Sequence, residues 1–203
     1  MKHMLPALAV TLAFCNIGAA AQSSSAPPST SQQQAAPKPT PDLSTLVPVP
    51  KPDDVKSIDS ILAALYNVIS GPAGDRDWNR MRSLFLPTAT LTSAGKDREG
   101  NIRVRPRSVE EYVKGAGGYF AQHPFYESSI VNRVQTFGNV AHVFSSYESR
   151  NALGEAPFAR GINSIQLLFD GKRWWVVSIL WDEERPDNPL PKDFATKTEN
   201  ANK

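Results

Sequence analysis

The residues best suited to acid–base chemistry are His142 and Glu148, with Tyr147 beside Glu148 in the chain. Imidazole and carboxylate side chains can exchange protons with a substrate, and a phenol can donate a hydrogen bond to a developing oxyanion. Each residue also has a structural interpretation: a hydrogen-bonded strand histidine, a Glu148 ion pair with Arg150 or Arg160, and a core tyrosine. The sequence therefore names three catalytic candidates without assigning a reaction.

Other kinds of site have little support in the sequence. Beyond the first residues of the chain, the histidines are His123 and His142, which have neither HxH nor HExxH spacing. No glycine-rich phosphate loop follows a predicted strand. Arg103, Arg105 and Arg107 alternate along a short strand, which favours a solvated sheet edge over an anion site. We therefore expect no metal and no cofactor.

The first 21 residues are typical of a secretory signal peptide. An apolar run, Leu5–Ile17, follows a basic start, and the small residues Ala19–Ala21 form a cleavage site. The run is too short for an ordinary transmembrane helix. Lipidation at Cys15 is an alternative, although the bulky Phe14 precedes it. We expect a periplasmic or secreted protein, cleaved near Ala21.

The composition divides the rest of the chain into three parts. Residues 22–52, rich in Ser, Gln and Pro, are predicted to be a disordered linker, and the polar residues 186–203 a flexible tail. Residues 53–185 form the folded domain. The formal net charge of +2 is too small to indicate binding to nucleic acid or to an anionic membrane. We therefore expect no nucleic-acid binding, and no membrane insertion once the signal peptide is removed.

Apolar spacing and capping signals predict three helices in the first part of the domain. The first begins at Asp53 or Asp54 and ends at Gly71-Pro72, and the second spans about Asp77–Phe85 and stops at Pro87. The third begins at the capping box Ser108–Glu111 and is expected to break near Gly115–Gly118.

From Phe125 onward the apolar period changes to two, which indicates strands. Asn or Asp next to Gly predicts tight hairpin turns at Gly138-Asn139 and Asp170-Gly171. The predicted strands are 88–92, 102–105, 126–136, 140–149, 158–169 and 172–182. Helices followed by an antiparallel meander indicate an α+β fold.

Three groups of residues support a more specific assignment of the fold. They are the first helix pair, Asp77-Trp78 leading into the stretch 84–91, and Asp170–Trp174 on a late hairpin. Together they resemble the nuclear transport factor 2-like (NTF2-like) superfamily, in particular its SnoaL-like bacterial members. The resemblance covers the whole domain and implies a cone, in which about three N-terminal helices pack on a curved antiparallel sheet.

The resemblance also bears on Trp174 and Trp175, which point to opposite faces of one strand. In this family one sheet face closes over the helices and often leaves a ligand pocket. The outer face commonly packs against a second subunit. Because one tryptophan would serve each face, we expect a homodimer.

Strand alternation predicts which polar residues lie in the pocket. With two-residue turns, the more apolar face carries Leu167, Ile165, Val176 and Val143, and we expect that face to contact the helices. Glu127, His142 and Glu148 then lie opposite, as do Ile179 and Trp181, although a single bulge would reverse part of this assignment. The predicted ligand site is Tyr66, Trp78, Asn132, Tyr147, Asn163, Trp174 and Ser178.

One catalytic feature of the superfamily is missing. Its ketosteroid isomerase branch has an aspartate base after the first strand, whereas the matching stretch here, Leu91–Ala94, has no carboxylate and Asp97 comes too late. We therefore predict an exported domain that binds a small, mostly apolar molecule. Two alternatives stay open: a SnoaL-like isomerase, cyclase or hydratase using His142, Glu148 or Tyr147, and a scaffold that binds another envelope protein.

Overall fold

The computed structural model describes residues 42–196. The predicted signal peptide, the lipidation alternative and the end of the tail lie outside this range. Of the predicted linker, only residues 42–52 are described, and Leu43–Leu46 form one 3-10 turn there. Within residues 42–196 no helix has the length and apolar character needed to cross a membrane.

Between residues 53 and 185 the helices and strands follow in the predicted order, apart from the division of the first helix, whereas α5 lies in the predicted tail. The helices are α1 (Pro52–Val55), α2 (Ile58–Ile69), α3 (Trp78–Leu84), α4 (Val109–Gln122) and α5 (Lys192–Ala195). The strands are β1 (Phe85–Lys96), β2 (Ile102–Ser108), β3 (Tyr126–Phe137), β4 (Val140–Arg150), β5 (Ala159–Phe169) and β6 (Trp174–Glu183).

The strands form one curved, six-stranded sheet in the order β2-β1-β6-β5-β4-β3. Helices α1 to α4 pack on one face of it, so the predicted α+β fold with helices on a curved sheet is confirmed. The sheet is mixed rather than purely antiparallel, because β1 pairs with β6 in parallel. Periodicity within each strand carries no signal for the relative direction of two strands so far apart in the chain.

Two of the predicted helices differ from the structure at interior positions. The first divides into α1 and α2, because the Ser57 side chain accepts a hydrogen bond from the Ser60 amide at 3.1 Å and caps a new helix. The third does not break at its glycines. A Cβ at Gly117 would lie 3.7 Å from the Trp78 ring, and Phe120 stacks on that ring, so tertiary packing offsets the low helix propensity of glycine.

The second helix and the strand after it meet without a break. α3 begins after Asp77, whose side chain accepts from the Arg80 amide at 2.9 Å, as its sequence predicts. The helix ends at Leu84 and β1 begins at once with Phe85, so Pro87 lies inside a strand. The β1 strand is therefore longer than its predicted range.

The core lies between the helices and the concave face of the sheet. Ile61, Leu62 and Leu84 from the helices are at most 2% exposed, as are Val143 and Ile165 from the strands. Each such side chain contributes roughly 1.5–3 kcal/mol through loss of water contact. This packing fixes the helices over one face, and that face also carries the cavity described below.

Trp174 and Trp175 are both covered within the chain. Trp174 packs against the core and Phe169, with ring centroids 5.4 Å apart. Trp175 is fully buried: its Nε1 donates to Asp170 Oδ2 at 2.7 Å, and the Arg173 guanidinium lies 3.7 Å from its ring centre. A second subunit is therefore not needed to cover Trp175.

Part of the predicted tail contacts the outer face of the sheet. Asp187 forms an ion pair with Lys96 at the end of β1. The Phe194 ring in α5 packs edge-on against Phe144 in β4, with centroids 5.6 Å apart. Residues 186–196 thus cover some of the face opposite the helices.

Candidate functional site

A cavity lies between the helices and the concave face of the sheet. Its volume is about 210 Å³, below the roughly 300–1,000 Å³ typical of sites for drug-sized ligands. Phe158 and Glu183 are exposed and mark its mouth. The lining is mostly apolar and aromatic, and comprises Leu65, Tyr66, Val68, Ile69, Met81, Phe85, Leu91, Tyr112, Phe125, Glu127, Tyr147, Ser149, Phe158, Ala159, Asn163, Ile165, Ile179, Trp181 and Glu183.

A bulge in β3 places Glu127 in the cavity. Ser129 pairs with Tyr147 whereas Val131 pairs with Ser146, so Ile130 is an extra residue and the side chains before it change faces. Glu127 consequently pairs with Ser149 on the helix-facing side. The predicted outward position of Glu127 is wrong for this reason.

A second bulge has the same effect on β6. Gln166 pairs with Ser178 and Leu167 with Val176, which leaves Val177 as the extra residue. The hairpin loop is also longer than predicted, since Phe169 pairs with Trp174. Asp170 Oδ1 holds this loop by accepting from the amides of Lys172 and Arg173, both at 2.8 Å.

The changed register moves three predicted positions. Ile179 and Trp181 line the cavity instead of the outer face, and Ser178 leaves the helix-facing side. The predicted positions of these three residues are therefore wrong.

Glu127 is the least exposed carboxyl group of the cavity. Its Oε2 accepts a hydrogen bond from Ser149 Oγ at 2.8 Å, and no residue within 42–196 donates to its Oε1. Burial raises the pKa of Glu127 to about 7, the Ser149 hydrogen bond opposes the rise, and the charge of Glu183 adds to it. The Glu127 backbone is fixed by Ser70 at the end of α2, whose Oγ accepts from the Glu127 amide at 2.9 Å. The carboxyl is therefore held in place with one oxygen free.

A chain of hydrogen bonds forms the inner wall. Asn163 Nδ2 donates to the Tyr66 hydroxyl at 3.2 Å, and Tyr66 bonds to Ser145 Oγ at 2.5 Å. Ser145 Oγ in turn donates to Asn132 Oδ1 at 2.6 Å, so the proton between the two hydroxyls belongs to Tyr66. Burial raises the pKa of Tyr66 to about 12. This phenol is therefore neutral and already paired.

Two further tyrosines have free hydroxyl groups. The hydroxyls of Tyr112 and Tyr147 form no hydrogen bond with any residue in 42–196, and burial raises the pKa of both phenols. Tyr147 lies across Gly161, where an added Cβ would be 2.6 Å from the phenol oxygen. These hydroxyls remain available to a ligand.

Arg107 supports the cavity wall from behind. Its guanidinium lies 5.4 Å from the ring centre of Tyr112 and 5.3 Å from that of Trp181, and does not line the cavity. The expectation of a purely solvated arginine edge holds for the exposed Arg103 and Arg105 but not for Arg107.

The predicted ligand residues fall into two groups. Tyr66, Tyr147 and Asn163 line the cavity, and Asn132 reaches it through Ser145. The remaining three, Trp78, Trp174 and Ser178, do not line it.

The catalytic candidates are separated by the sheet. Tyr147 faces the cavity, whereas His142 and Glu148 lie on the other face. His142 Nε2 bonds to Ser164 Oγ at 3.0 Å, and Glu148 pairs with Arg150 at 2.8 Å.

Asp97 lies in the β1–β2 turn, where it accepts from the amides of Glu99 and Asn101. Within residues 42–196, no cluster of three His, Cys, Asp or Glu side chains is placed to hold a metal ion.

Sequence reasoning missed Glu127, Tyr112, Trp181 and Glu183 as cavity residues. No glycine stands at either bulge to indicate it, so strand alternation alone predicted the wrong face for Glu127 and Trp181. Tyr112 carried a usable signal, since it lies one turn into the helix that the capping box predicts.

Comparison with known proteins gives structural neighbours only. No protein-family model and no curated protein matches the chain. A protein of unknown function with a cystatin-like fold from Nostoc punctiforme is similar, with 17% identity, a TM-score of 0.47 and coverage of 66% of this chain and 92% of that one. An NTF2-like protein of unknown function from Shewanella baltica has 19% identity, a TM-score of 0.40 and coverage of 63% and 91%. An uncharacterized protein with a cystatin-like fold from Caulobacter vibrioides has 11% identity, a TM-score of 0.48 and coverage of 65% and 90%. At this level of similarity the neighbours assign neither a ligand nor an activity.

Proposed function

We propose that the protein binds a small, mostly apolar molecule in the cavity. The observation that carries the proposal is the cavity itself: an apolar and aromatic space with a few fixed polar groups, which is how small-molecule sites are usually built. Its volume of about 210 Å³ favours a ligand of roughly one ring. The hydrogen-bonded Tyr66 wall gives such a ligand a rigid surface to contact.

Native mass spectrometry of the purified protein tests the proposal. We expect a small extra mass that denaturation releases. The variant Ala159→Trp, which places a large ring at the cavity mouth, should lack it. Ala156→Trp is a matched control, because Ala156 is exposed in the neighbouring loop and does not line the cavity. Equal extra mass in wild type and Ala159→Trp would place the ligand elsewhere.

Proton transfer is a second candidate function, and the free Oε1 of Glu127 favours it. A carboxylate with a raised pKa in an apolar cavity is a common general base. If the protein catalyses proton transfer in this way, Glu127 and Tyr147 take part in the reaction, and His142 and Glu148 do not. The test is NMR detection of deuterium exchange at the α-carbons of small cyclic ketones in D₂O. Catalysed exchange should be lost in Glu127→Gln and kept in Glu148→Gln, and exchange at the uncatalysed rate would reject the candidate.

We also propose a homodimer formed through the outer face of the sheet. A groove there is lined by Val104, Phe144 and Leu180, which are 61%, 38% and 49% exposed. Light scattering after size exclusion should give twice the monomer mass for wild type and the monomer mass for Leu180→Lys. A wild-type monomer would leave this face to the scaffold alternative.

Export is proposed from residues 1–21 alone. Cell fractionation should find the wild-type protein outside the cytoplasm and shortened at its N-terminus. A variant with a charge in the apolar run, Leu12→Arg, should stay inside at full length. Equal distribution of the two proteins would reject the signal peptide.

A further inference from the structure

The polar groups of the cavity are mainly hydrogen-bond acceptors. Within residues 42–196, the groups without a hydrogen-bond partner are Oε1 of Glu127, the carboxylate of Glu183 and the hydroxyls of Tyr112 and Tyr147. A carboxylate only accepts, and a hydroxyl offers two lone pairs beside its one proton. The Asn163 amide donates one of its two N–H groups to Tyr66, which leaves one N–H as a donor. A complementary ligand would therefore carry several hydrogen-bond donors on one group.

The charge of the cavity has one sign. Glu127 and Glu183 line it, and among its described lining residues there is no Lys, Arg or His. The nearby cation Arg107 contacts the ring faces of Tyr112 and Trp181 rather than the cavity space. A carboxylate next to apolar surface is costly unless a positive charge is added, so this arrangement favours a cationic ligand and disfavours an anion.

The aromatic lining suits the same ligand. Rings of Tyr66, Tyr112, Phe125, Tyr147 and Trp181 line the same cavity as the two carboxylates. Aromatic faces attract ammonium groups electrostatically, and most strongly where water is excluded. The remaining lining offers only apolar contact to the rest of the ligand. It includes Leu65, Met81 and Ile165.

We propose that the ligand is a small hydrophobic amine, whose ammonium group contacts Glu127 and Glu183 and whose apolar body fills the inner part of the cavity. The inference rests on the proposed binding function and names its ligand class. It follows from the acceptor-rich inventory, the single sign of charge and the aromatic lining. An ammonium has three donors and no acceptor, which is the complement of this set.

Three probes of nearly equal size test the inference: benzylamine, benzyl alcohol and benzoate. Titration calorimetry at pH 8 should rank the amine first, about tenfold tighter than the alcohol, with benzoate weakest. Alcohol binding equal to amine binding, or tightest binding by benzoate, would overturn the amine proposal and leave the binding function intact. If none of the three bound, the proposed binding function would fail, and the inference with it.

Matched variants test whether the charge of Glu127 recognises the ammonium group. Glu127→Gln keeps the shape of the side chain and removes its charge, so the amine should lose about tenfold in affinity while the alcohol is unchanged. Glu148→Gln removes a carboxylate on the other face and should change neither affinity. Equal losses for both probes in Glu127→Gln would show that Glu127 supports the cavity's shape and does not recognise the amine.

The pH dependence gives an independent readout. The titratable groups facing Glu127 are Tyr66 on α2, Tyr112 on α4, Tyr147 on β4 and Glu183 on β6, with Asp182 and Arg107 next to the tyrosines. Because the pKa of Glu127 is about 7 and those of the tyrosines lie higher, Glu127 is the group that changes charge near neutral pH. Amine affinity should fall by about tenfold in total between pH 8 and pH 5, because protonation removes the same charge that Glu127→Gln removes, whereas alcohol affinity stays constant. A flat amine profile from pH 5 to 8 would overturn the proposed ion pair.

Discussion

The two faces of the central strands carry similar residue types in opposite states. On the outer face His142 bonds to Ser164, Glu148 to Arg150 and Arg160 to Glu184. On the inner face the Oε1 of Glu127 and the hydroxyls of Tyr112 and Tyr147 have no partner within residues 42–196. These three groups belong to residues that line the cavity, where a bound molecule can supply the missing partners. Hydrogen-bond partners, more than residue type, therefore separate the candidate site from the structural surface.

The inner position of Tyr147 depends on close packing against Gly161 of the neighbouring strand. A Cβ at Gly161 would lie 2.4 Å from the Asp182 carbonyl oxygen and 2.6 Å from the Tyr147 hydroxyl. Gly161→Ala should therefore lower the free energy of unfolding by about 3 kcal/mol, since the backbone must shift. Urea unfolding measures the effect. The matched control is Gly95→Ala in β1, where nothing lies within 4 Å, and a loss there as large as at Gly161 would refute the steric explanation.

Glu127 should make stability depend on pH. Its pKa is about 7 in the folded protein and lies above its ordinary value of 4.5, so the folded state holds the proton more tightly. The stabilisation is complete below pH 4.5 and is lost as the pH rises through 7, by up to about 3 kcal/mol. Glu127→Gln should remove this dependence, so its melting temperature exceeds that of wild type at pH 8 but not at pH 5. A wild-type profile that rises from pH 5 to 8 in step with Glu127→Gln would contradict the assignment.

Local signals predicted much of the fold. Asp77 and the Ser108–Glu111 capping box begin helices where expected, and Gly138 closes the β3–β4 turn with Phe137 opposite Val140. Each of these depends on hydrogen bonds among residues close in the chain. The sequence therefore predicted the order of elements and the α+β class.

The site depends on contacts that sequence spacing does not contain. The β5–β6 loop has four residues because Asp170 bonds to two amides and to Trp175, and β3 and β6 each contain a bulge. Each bulge reverses the faces of the residues on the side of it away from the hairpin turn, so the two extra residues moved Glu127 and Trp181 to the inner face and Ser178 to the outer face. Tyr66, Tyr147 and Asn163 were placed correctly because they lie in segments with unbroken period.

The inner hydrogen-bond chain should be worth more than a single outer bond. Tyr66→Phe removes the hydroxyl that accepts from Asn163 and donates to Ser145, and leaves buried polar atoms without partners. We expect a loss of about 1–2 kcal/mol in the free energy of unfolding. Ser164→Ala, which removes the partner of His142 on the outer face, should cost less than about 0.5 kcal/mol because water can replace it. Similar losses for the two variants would remove the distinction between the faces.

The smallest effect is expected from the ion pair between Glu148 and Arg150. Their side chains are 24% and 23% exposed, and the N–O distance is 2.8 Å. Partly exposed pairs couple by less than about 1 kcal/mol, because solvent screens the charges and ordering two long side chains costs entropy. A double-mutant cycle with Glu148→Gln and Arg150→Gln measures the coupling free energy, and adding salt should reduce it. If the coupling exceeded 2 kcal/mol and resisted salt, the outer face would hold a strongly organised charge site, and the division between a paired outer surface and an unpaired inner cavity would no longer hold.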